Sequence, residues 1–293
     1  MKKTLLVLLA IAFSFTFPTI SSAQQTALVV GWNIKGVDPI PSQRITRISA
    51  VIRQLNPDLI VLSEVNPNSV PADIVQQLGP SYQAAVILPQ NPTVVQNIAL
   101  IFKTGVSVTN ARLIDGTDLT EEPRSRKALA ANVRIGNFDF IVIGVHLKSS
   151  REEEPRNQRT RQCRALAQFI SQATAGSEKD VLVVGDYNMI PRMGSTANDE
   201  VNFIAMSPTN FLRFVSSDFL LGQISHIGRC TPSFRGNLLD GFAISRTFTS
   251  EYIPGTTRLI SFADLGTNCS DFNSNVSDHR PIVSRFRIVS DDD

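Results

Sequence analysis

The sequence has little charge and few of the residues that most often carry metal, disulfide or proton chemistry. Charged residues make up 18% of the 293 residues, against about 25% in typical globular domains. The chain has only 3 cysteines and 3 histidines. Low charge combined with 42% hydrophobic residues excludes a disordered or strongly basic tail-like protein. Because no internal repeat, low-complexity tract or Pro/Gly/Ser-rich linker divides the chain, we expect one domain.

Several catalytic and binding motifs are also missing. There is no His-x-x-x-His or Cys/His cluster, which disfavours a zinc hydrolase, and no Gly-x-Ser-x-Gly turn, which disfavours a serine hydrolase. No helix-turn-helix or other groove-reading element is visible, so sequence-specific DNA readout is not expected. The longest apolar run, Leu5 to Phe17, is shorter than the roughly 20 residues that a membrane-spanning helix needs.

The first 23 residues have the pattern of a secretory signal peptide. A cationic start precedes the apolar run, and Ser21-Ser22-Ala23 forms a small-residue cleavage site. Cleavage after Ala23 removes Lys2 and Lys3, which leaves the mature chain formally neutral. Any site for a polyanion must therefore be a local basic cluster. We expect a secreted or periplasmic protein in which residues 24–290 form a single domain.

The remaining sequence predicts strands rich in β-branched residues, with two amphipathic helices between them. One helix follows Pro41-Ser42 and ends at Asn56-Pro57, and Pro155 opens the second. The predicted strands are Ala27 to Trp32, Asp58 to Ser63, Ile98 to Phe102, Ala128 to Arg134, Phe138 to Val145, Val181 to Gly185, Leu238 to Ser245 and Ile282 to Ile288.

Polar side chains stand at the ends of many of these strands. Charged groups beside apolar strands must be paired, bound to metal or catalytic, and five such positions are difficult to attribute to chance. They are Glu64 after DLIVLS, His146 after FIVIGV, Asp186 and Asn188 after VLVVG, Asp240 in LLDGFAIS, and Asp278-His279 before the last strand.

This set of residue types predicts metal-assisted phosphoester hydrolysis. Carboxylate and amide oxygens suit Mg²⁺, with Mn²⁺ as a substitute, and Mg²⁺ bridges readily to phosphate oxygens. The two histidines can transfer protons and stabilise a pentacoordinate phosphate. The third histidine, His226, lies in a Gly/Ser-bounded segment that predicts a structural role.

The same motifs resemble the endonuclease/exonuclease/phosphatase superfamily related to pancreatic-type deoxyribonuclease, as a secreted bacterial-type member. The resemblance runs from about Val29 to Arg287. It implies an α+β fold, a four-layer α/β/β/α sandwich of two mainly antiparallel sheets flanked by helices, forming one catalytic domain. The matching segments are GWNIKG, LIVLSEVN, IGVHLKS, VVGDYNMIP, LLDGF and SDHRPI.

The resemblance also implies roles for the metal ligands and the histidines. Glu64 would bind the divalent cation, helped by Asn33. His279, held by an acidic neighbour and grouped with Asp278, would activate water or stabilise the phosphorane. His146 would assist the leaving group or bind a phosphate oxygen from the opposite side. Which histidine is the acid and which the base stays open.

Further residues are implied to position water and phosphate. These are Asp186, Asn188 and Asp240, with Arg126 as a phosphate contact. One departure concerns the glutamate that orients the first histidine in deoxyribonucleases of the pancreatic type, because Gln96 stands at that position here.

The substrate is predicted from the residues after His146. A basic cluster stands there, and it is consistent both with a nucleic-acid contact and with a solvated helix face paired with Glu152 to Glu154; its members are Lys148, Arg151, Arg156, Arg159 and Arg161. We therefore expect a monomeric, Mg²⁺-dependent secreted nuclease with DNA or RNA as its partner, without stable membrane insertion and without a protein partner.

Two alternatives use the same residues differently. The first is a sphingomyelinase-like lipid phosphodiesterase or another small-phosphoester hydrolase. Its motifs are poorly matched here, although SRTFTSEYIPG, with Phe248 and Tyr252, is a candidate membrane-binding hairpin. The second is a secreted binding protein without activity, which the complete set of strand-end residues disfavours.

The cysteines predict one disulfide bond. Cys163 lies on the apolar stripe of a helix, whereas Cys230 and Cys269 lie in polar segments. In an oxidising compartment we expect Cys230 and Cys269 to be bonded and Cys163 to be buried and reduced.

Overall fold

The computed structural model describes residues 25–36, 38–84, 96–119, 125–176, 178–189, 202, 204–215, 220, 222–231, 236–248 and 250–289. The expected signal peptide lies outside these residues, so it stays a prediction. Among the described residues, no helix combines the length and apolar character needed to cross a membrane.

The described part of the chain contains twelve strands, together with four helices of seven residues or more. The helices are α1 (Ser42–Leu55), α2 (Val70–Leu78), α3 (Glu153–Ala173) and α4 (Cys269–Asn275). The strands are β1 (Thr26–Asn33), β2 (Leu59–Val65), β3 (Tyr82–Ala84), β4 (Asn97–Lys103), β5 (Ser107–Leu113), β6 (Leu129–Ile135), β7 (Phe138–His146), β8 (Val181–Asp186), β9 (Leu212–Phe214), β10 (Asp240–Ser245), β11 (Arg258–Leu259) and β12 (Ile282–Arg287).

The strands form two six-stranded sheets. The first has the order β11-β12-β1-β2-β4-β3 and the second β5-β6-β7-β8-β10-β9. Each sheet is mixed, because β1 pairs in parallel with β2, and β7 pairs in parallel with β8, among otherwise antiparallel neighbours. Helix α3 begins two residues before Pro155, the predicted first residue, since proline is tolerated in the first helical turn.

Successive side chains along each strand point to opposite faces of the sheet, and this produces four layers. In β1, Ala27 and Val29 face the second sheet, whereas Leu28 and Val30 face the helices on the outer side. The outer core of the first sheet includes residues of α1, α2 and α4, and that of the second sheet includes Cys163 and other residues of α3. The predicted four-layer sandwich is confirmed, with the central core between the two sheets.

Two glycines let the sheets approach each other closely. A Cβ atom on Gly31 in β1 would lie 2.6 Å from the side chain of Val184 in β8. A Cβ atom on Gly144 in β7 would lie 2.8 Å from the side chains of Val61 and Ile98 in the first sheet. Larger residues would push the sheets apart near the ends of β1 and β7.

The candidate membrane-binding hairpin is not exposed. Phe248 and Tyr252 are each 4% exposed and belong to the core between the sheets. Their rings pack against Phe286 in β12. The interpretation of these aromatic residues as a lipid-binding hairpin is therefore wrong.

The cysteine prediction is confirmed by the structure. Cys230 and Cys269 form a disulfide bond with Cα atoms 5.7 Å apart, and Cys163 is a buried free thiol. The bond joins the loop that follows Ile227 to the first residue of α4.

Thiol reactivity should reflect this arrangement. Burial raises the pKa of Cys163 to about 12, so the native protein should react negligibly with a thiol reagent at neutral pH. Denaturation without reductant should expose a single reactive thiol, as measured by chromogenic thiol titration. Three reactive thiols in the unreduced, denatured protein would contradict the disulfide, and the Cys163→Ala variant should show none.

Candidate active site

In the first sheet, two polar residues are brought together by a parallel strand pair. Asn33 ends β1 and lies opposite Ser63 of β2, directly before Glu64. The strand β12 runs antiparallel to β1, with Ile282 opposite Gly31, so the segment before β12 lies at the same edge.

In the second sheet, three strands deliver side chains to the corresponding edge. His146 ends β7 and lies opposite Asp186 at the end of the parallel strand β8. Asp240 begins β10 and lies opposite the same Asp186 across an antiparallel pair. The predicted strand-end residues therefore converge because the register of each pair aligns their ends.

Asn33 connects the two sheets. Its Nδ2 atom donates hydrogen bonds to Glu64 Oε1 at 3.0 Å and to Asp186 Oδ2 at 3.1 Å. Its Oδ1 atom accepts a hydrogen bond from the backbone N–H of Lys35 at 2.9 Å, which fixes the orientation of the amide. Asn33 thus holds two carboxylates from different sheets beside each other.

Asp186 lies at the centre of the site. Its Oδ2 atom is 3.7 Å from Nε2 of His146 and 3.8 Å from Nε2 of His279. Glu64 Oε1 is 3.6 Å from the same nitrogen of His146. Both rings therefore direct Nε2 toward the same oxygen of the buried Asp186 carboxylate.

His279 is held by Asp240. Nδ1 of the His279 ring and Oδ2 of Asp240 are 2.7 Å apart. The backbone carbonyl of His279 accepts a hydrogen bond from the indole nitrogen of Trp32 at 2.8 Å, and its backbone N–H donates to the Ser277 hydroxyl at 3.0 Å. The ring and the backbone of His279 are thereby both fixed.

The carboxylates repel each other in a region of low solvent access. Burial, together with the charge of Asp240, raises the pKa of Asp186 to about 7. His279 and the hydrogen bonds from Asn188 and Asn33 act in the opposite direction. A cation placed among these oxygens would relieve the repulsion.

The two histidines have opposite electrostatic environments. Burial alone would lower the pKa of His279, but Asp240, Asp186 and Asp278 outweigh it and raise this pKa to about 10. The pKa of His146 lies well below its usual value because the ring is buried and because the charges of Arg126 and His279 oppose protonation.

Backbone irregularities direct two of the side chains into the site. Glu64 has a φ of 56°, and the register between β2 and β4 shifts between Leu62 and Val65. This bulge re-aims the Glu64 carboxylate from the strand toward the edge. Gly185 has a φ of 141°, and a Cβ atom there would lie 2.1 Å from the Val145 carbonyl oxygen, so only glycine fits immediately before Asp186.

Two predicted catalytic residues lie beside the central cluster. Asn188 donates its backbone N–H to Asp186 Oδ1 at 2.8 Å and its side-chain amide to the Leu147 carbonyl at 2.9 Å. The Asp278 carboxylate lies 3.4 Å from Nζ of Lys35. Asn188 therefore orients Asp186, and Asp278 contributes mainly charge to its neighbour His279.

Arg126 and Gln96 form a pair next to His146. The Arg126 guanidinium donates to the carbonyls of His146 and Leu147 at 3.0 and 3.2 Å and to Oε1 of Gln96 at 3.2 Å. Nδ1 of His146 has no hydrogen-bond partner among the described residues. Gln96 thus supports Arg126 and does not take the orienting role of the missing glutamate.

The basic cluster after His146 is only partly exposed. Arg159 is 1% exposed and donates to the carbonyls of Lys148 and Ser150, so its assignment to a nucleic-acid surface is wrong. Arg161 lies 3.5 Å from Glu154. Arg156 is partly buried and donates to the Arg151 carbonyl.

Lys148 and Arg151 remain candidates for substrate contact. Lys148 is partly exposed, and its backbone N–H donates to Gln162 Oε1 at 2.9 Å. Arg151 is exposed, and its guanidinium donates to the Asn237 side chain. Both follow β7 directly, which places positive charge beside the His146 end of that strand.

Several supporting residues could not be recognised in the sequence. Arg44 of α1 donates to the carbonyls of Val276 at 2.8 Å and Lys35 at 2.5 Å, and also to Ile34, which ties the loop after β1 to the loop before β12. His226 also belongs here, because the centroid of its ring lies 4.8 Å from that of His279. The Gly/Ser-rich context of His226 gives no sign of this proximity.

The donor set fits a hard divalent cation. Ligand atoms of Asp186, Asp240 and His279 lie within 4.8 Å of one another, and the Glu64 carboxylate stands nearby. Mg²⁺ prefers oxygen ligands of this kind. The predicted ligand Asn33 offers only the second lone pair of Oδ1, because the first accepts the Lys35 N–H.

Comparison with known proteins agrees with the resemblance drawn from the strand-end motifs. The profile of the Endonuclease/Exonuclease/phosphatase family matches residues 30–279. No curated protein shows a significant match to this chain.

Solved structures share the fold at low sequence identity. The D. rerio TDP2 structure complexed with a single-strand DNA product has 16% identity and a TM-score of 0.64, covering 89% of this chain and 99% of that chain. The 3′ phosphatase NExo from Neisseria, bound to a product DNA hairpin, has 14% identity and a TM-score of 0.65, covering 89% and 99%. The human Nocturnin catalytic domain with bound sulfate has 20% identity and a TM-score of 0.59, covering 90% and 96%.

Proposed function

Because the chain belongs to the endonuclease/exonuclease/phosphatase family, we propose that it is a divalent-metal-dependent phosphodiesterase that hydrolyses DNA or RNA with little sequence preference. The observation that carries the proposal is the convergence of four side chains at one edge of both sheets, where ring nitrogens and carboxylate oxygens approach to 3.6–3.8 Å. They are Glu64, His146, Asp186 and His279. A protein that had kept only the fold would have no need to bury these groups together.

Residues of the chain itself transfer the protons and orient the groups that take part in the reaction. A water oxygen attacks phosphorus and gives up a proton to one histidine, the P–O ester bond breaks, and the leaving oxygen takes up a proton from the other histidine. His146 and His279 present Nε2 on either side of Asp186 and serve as the proton carriers. Asp240 fixes the His279 ring through Nδ1, while Asn188 and Asn33 orient the Asp186 carboxylate.

The cation would be held by carboxylate and amide oxygens of this cluster, with Glu64 and Asn33 as the first candidates and Asp186 and Asp240 close by. When bound, Mg²⁺ or Mn²⁺ polarises the phosphoryl oxygen and stabilises the charge that develops on it. Asn33 keeps Glu64 and Asp186 adjacent in preparation for the ion.

We propose further that residues 1–23 are a cleaved signal peptide and that residues 24–290 act outside the cytoplasm as a single, monomeric catalytic domain. The Cys230–Cys269 disulfide supports this, since such bonds persist in oxidising compartments. Extracellular nucleic acid is the phosphodiester that a protein exported in this way would meet.

Nucleic acid is preferred to lipid as the substrate for two reasons. Lys148 and Arg151 place positive charge after His146, whereas Phe248 and Tyr252 are buried and unavailable to a bilayer. In addition, two of the structurally similar proteins, D. rerio TDP2 and the Neisseria 3′ phosphatase, were solved with DNA products.

The deciding experiment compares plasmid DNA, RNA and sphingomyelin liposomes at equal enzyme concentration with Mg²⁺. We expect at least one of the two nucleic acids to be cleaved and the liposomes to remain intact. Hydrolysis of the liposomes with both nucleic acids untouched would reject the nuclease proposal while leaving the catalytic residues in place. A protein inactive on all three would contradict the phosphodiesterase proposal itself.

Salt dependence should identify the residues that contact the nucleic-acid backbone. Replacing Arg151 with glutamine should weaken binding at low salt and flatten the slope of log Kd against log salt by about one unit, because one phosphate contact is lost. The same change is expected for Lys148→Gln. The measurement is fluorescence anisotropy with a labelled oligonucleotide in chelator, so that cleavage does not interfere.

The matched control is Arg134→Gln. Arg134 is an exposed arginine that pairs with Asp139 near the opposite end of β7 from His146. Its replacement should leave the salt slope unchanged. Equal slopes for Arg151→Gln, Lys148→Gln and the control would reject this surface as the nucleic-acid contact.

A further inference from the structure

A short segment, Ser225–Ile227, lies between the start of β10, which carries Asp240, and the loop that carries His279. Its backbone N–H groups at Ser225 and His226 both donate to the Asn237 carbonyl at 3.0 Å. On its other side, Ile227 N–H donates to the Asp278 carbonyl at 2.7 Å and Arg280 N–H donates to the Ser225 carbonyl at 2.9 Å. The segment therefore joins the chain before β10 to the chain before β12.

The Ser225 side chain strengthens the connection to β10. Ser225 is fully buried, and its hydroxyl oxygen accepts hydrogen bonds from the N–H groups of Leu239 at 2.8 Å and Asp240 at 3.1 Å. The backbone from which the Asp240 carboxylate projects is thus fixed by the residue that precedes His226.

The His226 side chain completes the connection on the other side. Its ring is partly buried and packs on the His279 ring at a centroid distance of 4.8 Å and an interplanar angle of 45°. Nδ1 of His226 is buried and has no hydrogen-bond partner among the described residues. Ring packing is therefore a direct contact through which this side chain can act on His279.

The disulfide bond links the same two segments covalently. Cys230 lies three residues beyond Ile227, and Cys269 begins α4, which ends at Asn275 shortly before Ser277 and Asp278. The covalent bond and the backbone pairing thus restrain the segment that carries His226 against the segment that carries His279.

We propose that His226 is a positioning residue whose ring holds the His279 imidazole in the orientation that bonds to Asp240. The inference rests on the proposed function, in which His279 transfers protons, and it goes beyond the family's strand-end motifs, none of which contains His226. An imidazole bonded at Nδ1 can still tilt about that bond, and the packed ring of His226 restricts the tilt.

The kinetic test uses two replacements, of which one removes the aromatic ring and the other retains it. With bis(4-nitrophenyl) phosphate as the substrate, His226→Ala should lower kcat by about tenfold, the lower end of the range for residues that orient an active-site group, with little change in KM. His226→Phe keeps the ring contact and should restore most of kcat. Equal losses in both variants, or no loss in His226→Ala, would overturn the proposal.

A double replacement shows whether His226 acts through His279. In a His279→Ala background, changing His226 to alanine should have no further effect on kcat, because the group it positions is gone. An additional tenfold loss would overturn the proposal. If His226→Ala does not fold, His226→Leu provides the replacement without an aromatic face.

An NMR measurement tests the proposal independently of enzymatic activity. The hydrogen-bonded Nδ1 proton of His279 should give a downfield NMR signal in the wild-type protein that disappears in Asp240→Asn. In His226→Ala the signal should shift or broaden, and in His226→Phe it should persist. If the wild-type protein hydrolyses no phosphodiester, the proposed function fails, but this signal still decides whether His226 positions the ring. An unchanged signal in His226→Ala would overturn the inference.

Discussion

Replacing His279 with alanine is expected to lower kcat by about a hundred- to ten-thousand-fold, the usual range for the loss of a general acid or base. The ring connects Asp240, at 2.7 Å from Nδ1, with Asp186, at 3.8 Å from Nε2, and no other described side chain makes both contacts. Initial rates on plasmid DNA, RNA and bis(4-nitrophenyl) phosphate measure the effect.

The Asp240→Asn variant keeps the His279 ring and changes only its hydrogen-bond partner at Nδ1. An amide cannot accept the Nδ1–H bond in the same way when its NH₂ group faces the ring, so a large loss of kcat is expected here too. Because both changes disable one unit, the double variant should be little worse than His279→Ala alone. A His279→Ala enzyme that retains wild-type kcat, with unchanged thermal unfolding, would reject the assignment.

Removing the divalent cation should abolish activity, and Mg²⁺ or Mn²⁺ should restore it. The chain buries the Asp186 and Asp240 carboxylates together and places Glu64 beside them, and repulsion between the first two contributes to the raised pKa of Asp186. Glu64→Gln should raise the Mg²⁺ concentration needed for half-maximal activity by about ten- to a hundredfold, since one charged ligand is lost.

The control for this change is Glu154→Gln, which alters an exposed carboxylate on α3 that pairs with Arg161. Its Mg²⁺ dependence should equal that of the wild-type protein. Full activity in excess chelator would exclude a metal-dependent reaction. An unchanged Mg²⁺ requirement in Glu64→Gln would exclude Glu64 as a ligand and favour the buried carboxylates of Asp186 and Asp240.

The strand ends of the site could be predicted because their signals are local. An apolar, β-branched run such as VLVVG predicts a buried strand, and the residue that follows it must leave that strand at an edge. Parallel pairing then brings His146 beside Asp186, and Asn33 next to the residue before Glu64, as the structure shows. The order of the four layers was predicted from the family resemblance, because these local signals do not contain it.

Other features depend on contacts between residues far apart in the chain. The bulge at Glu64 results from the pairing of β2 with β4, and the position of His226 results from pairing with both Asn237 and His279. Neither leaves a periodic pattern in the sequence. Similarly, Arg159 has the composition of a surface cation, but its helix turns it inward, where backbone carbonyls of the loop after β7 satisfy its donors.

Trp32 gives the protein an optical property that follows from its place beside His279. It is the only tryptophan in the chain, its side chain is fully buried, and its indole N–H is bonded to the carbonyl of His279. All tryptophan emission therefore originates from one position directly behind His279. A change in the His279 backbone alters the hydrogen bond of this single fluorophore, so the protein carries an unlabelled emission signal for events at its own active site.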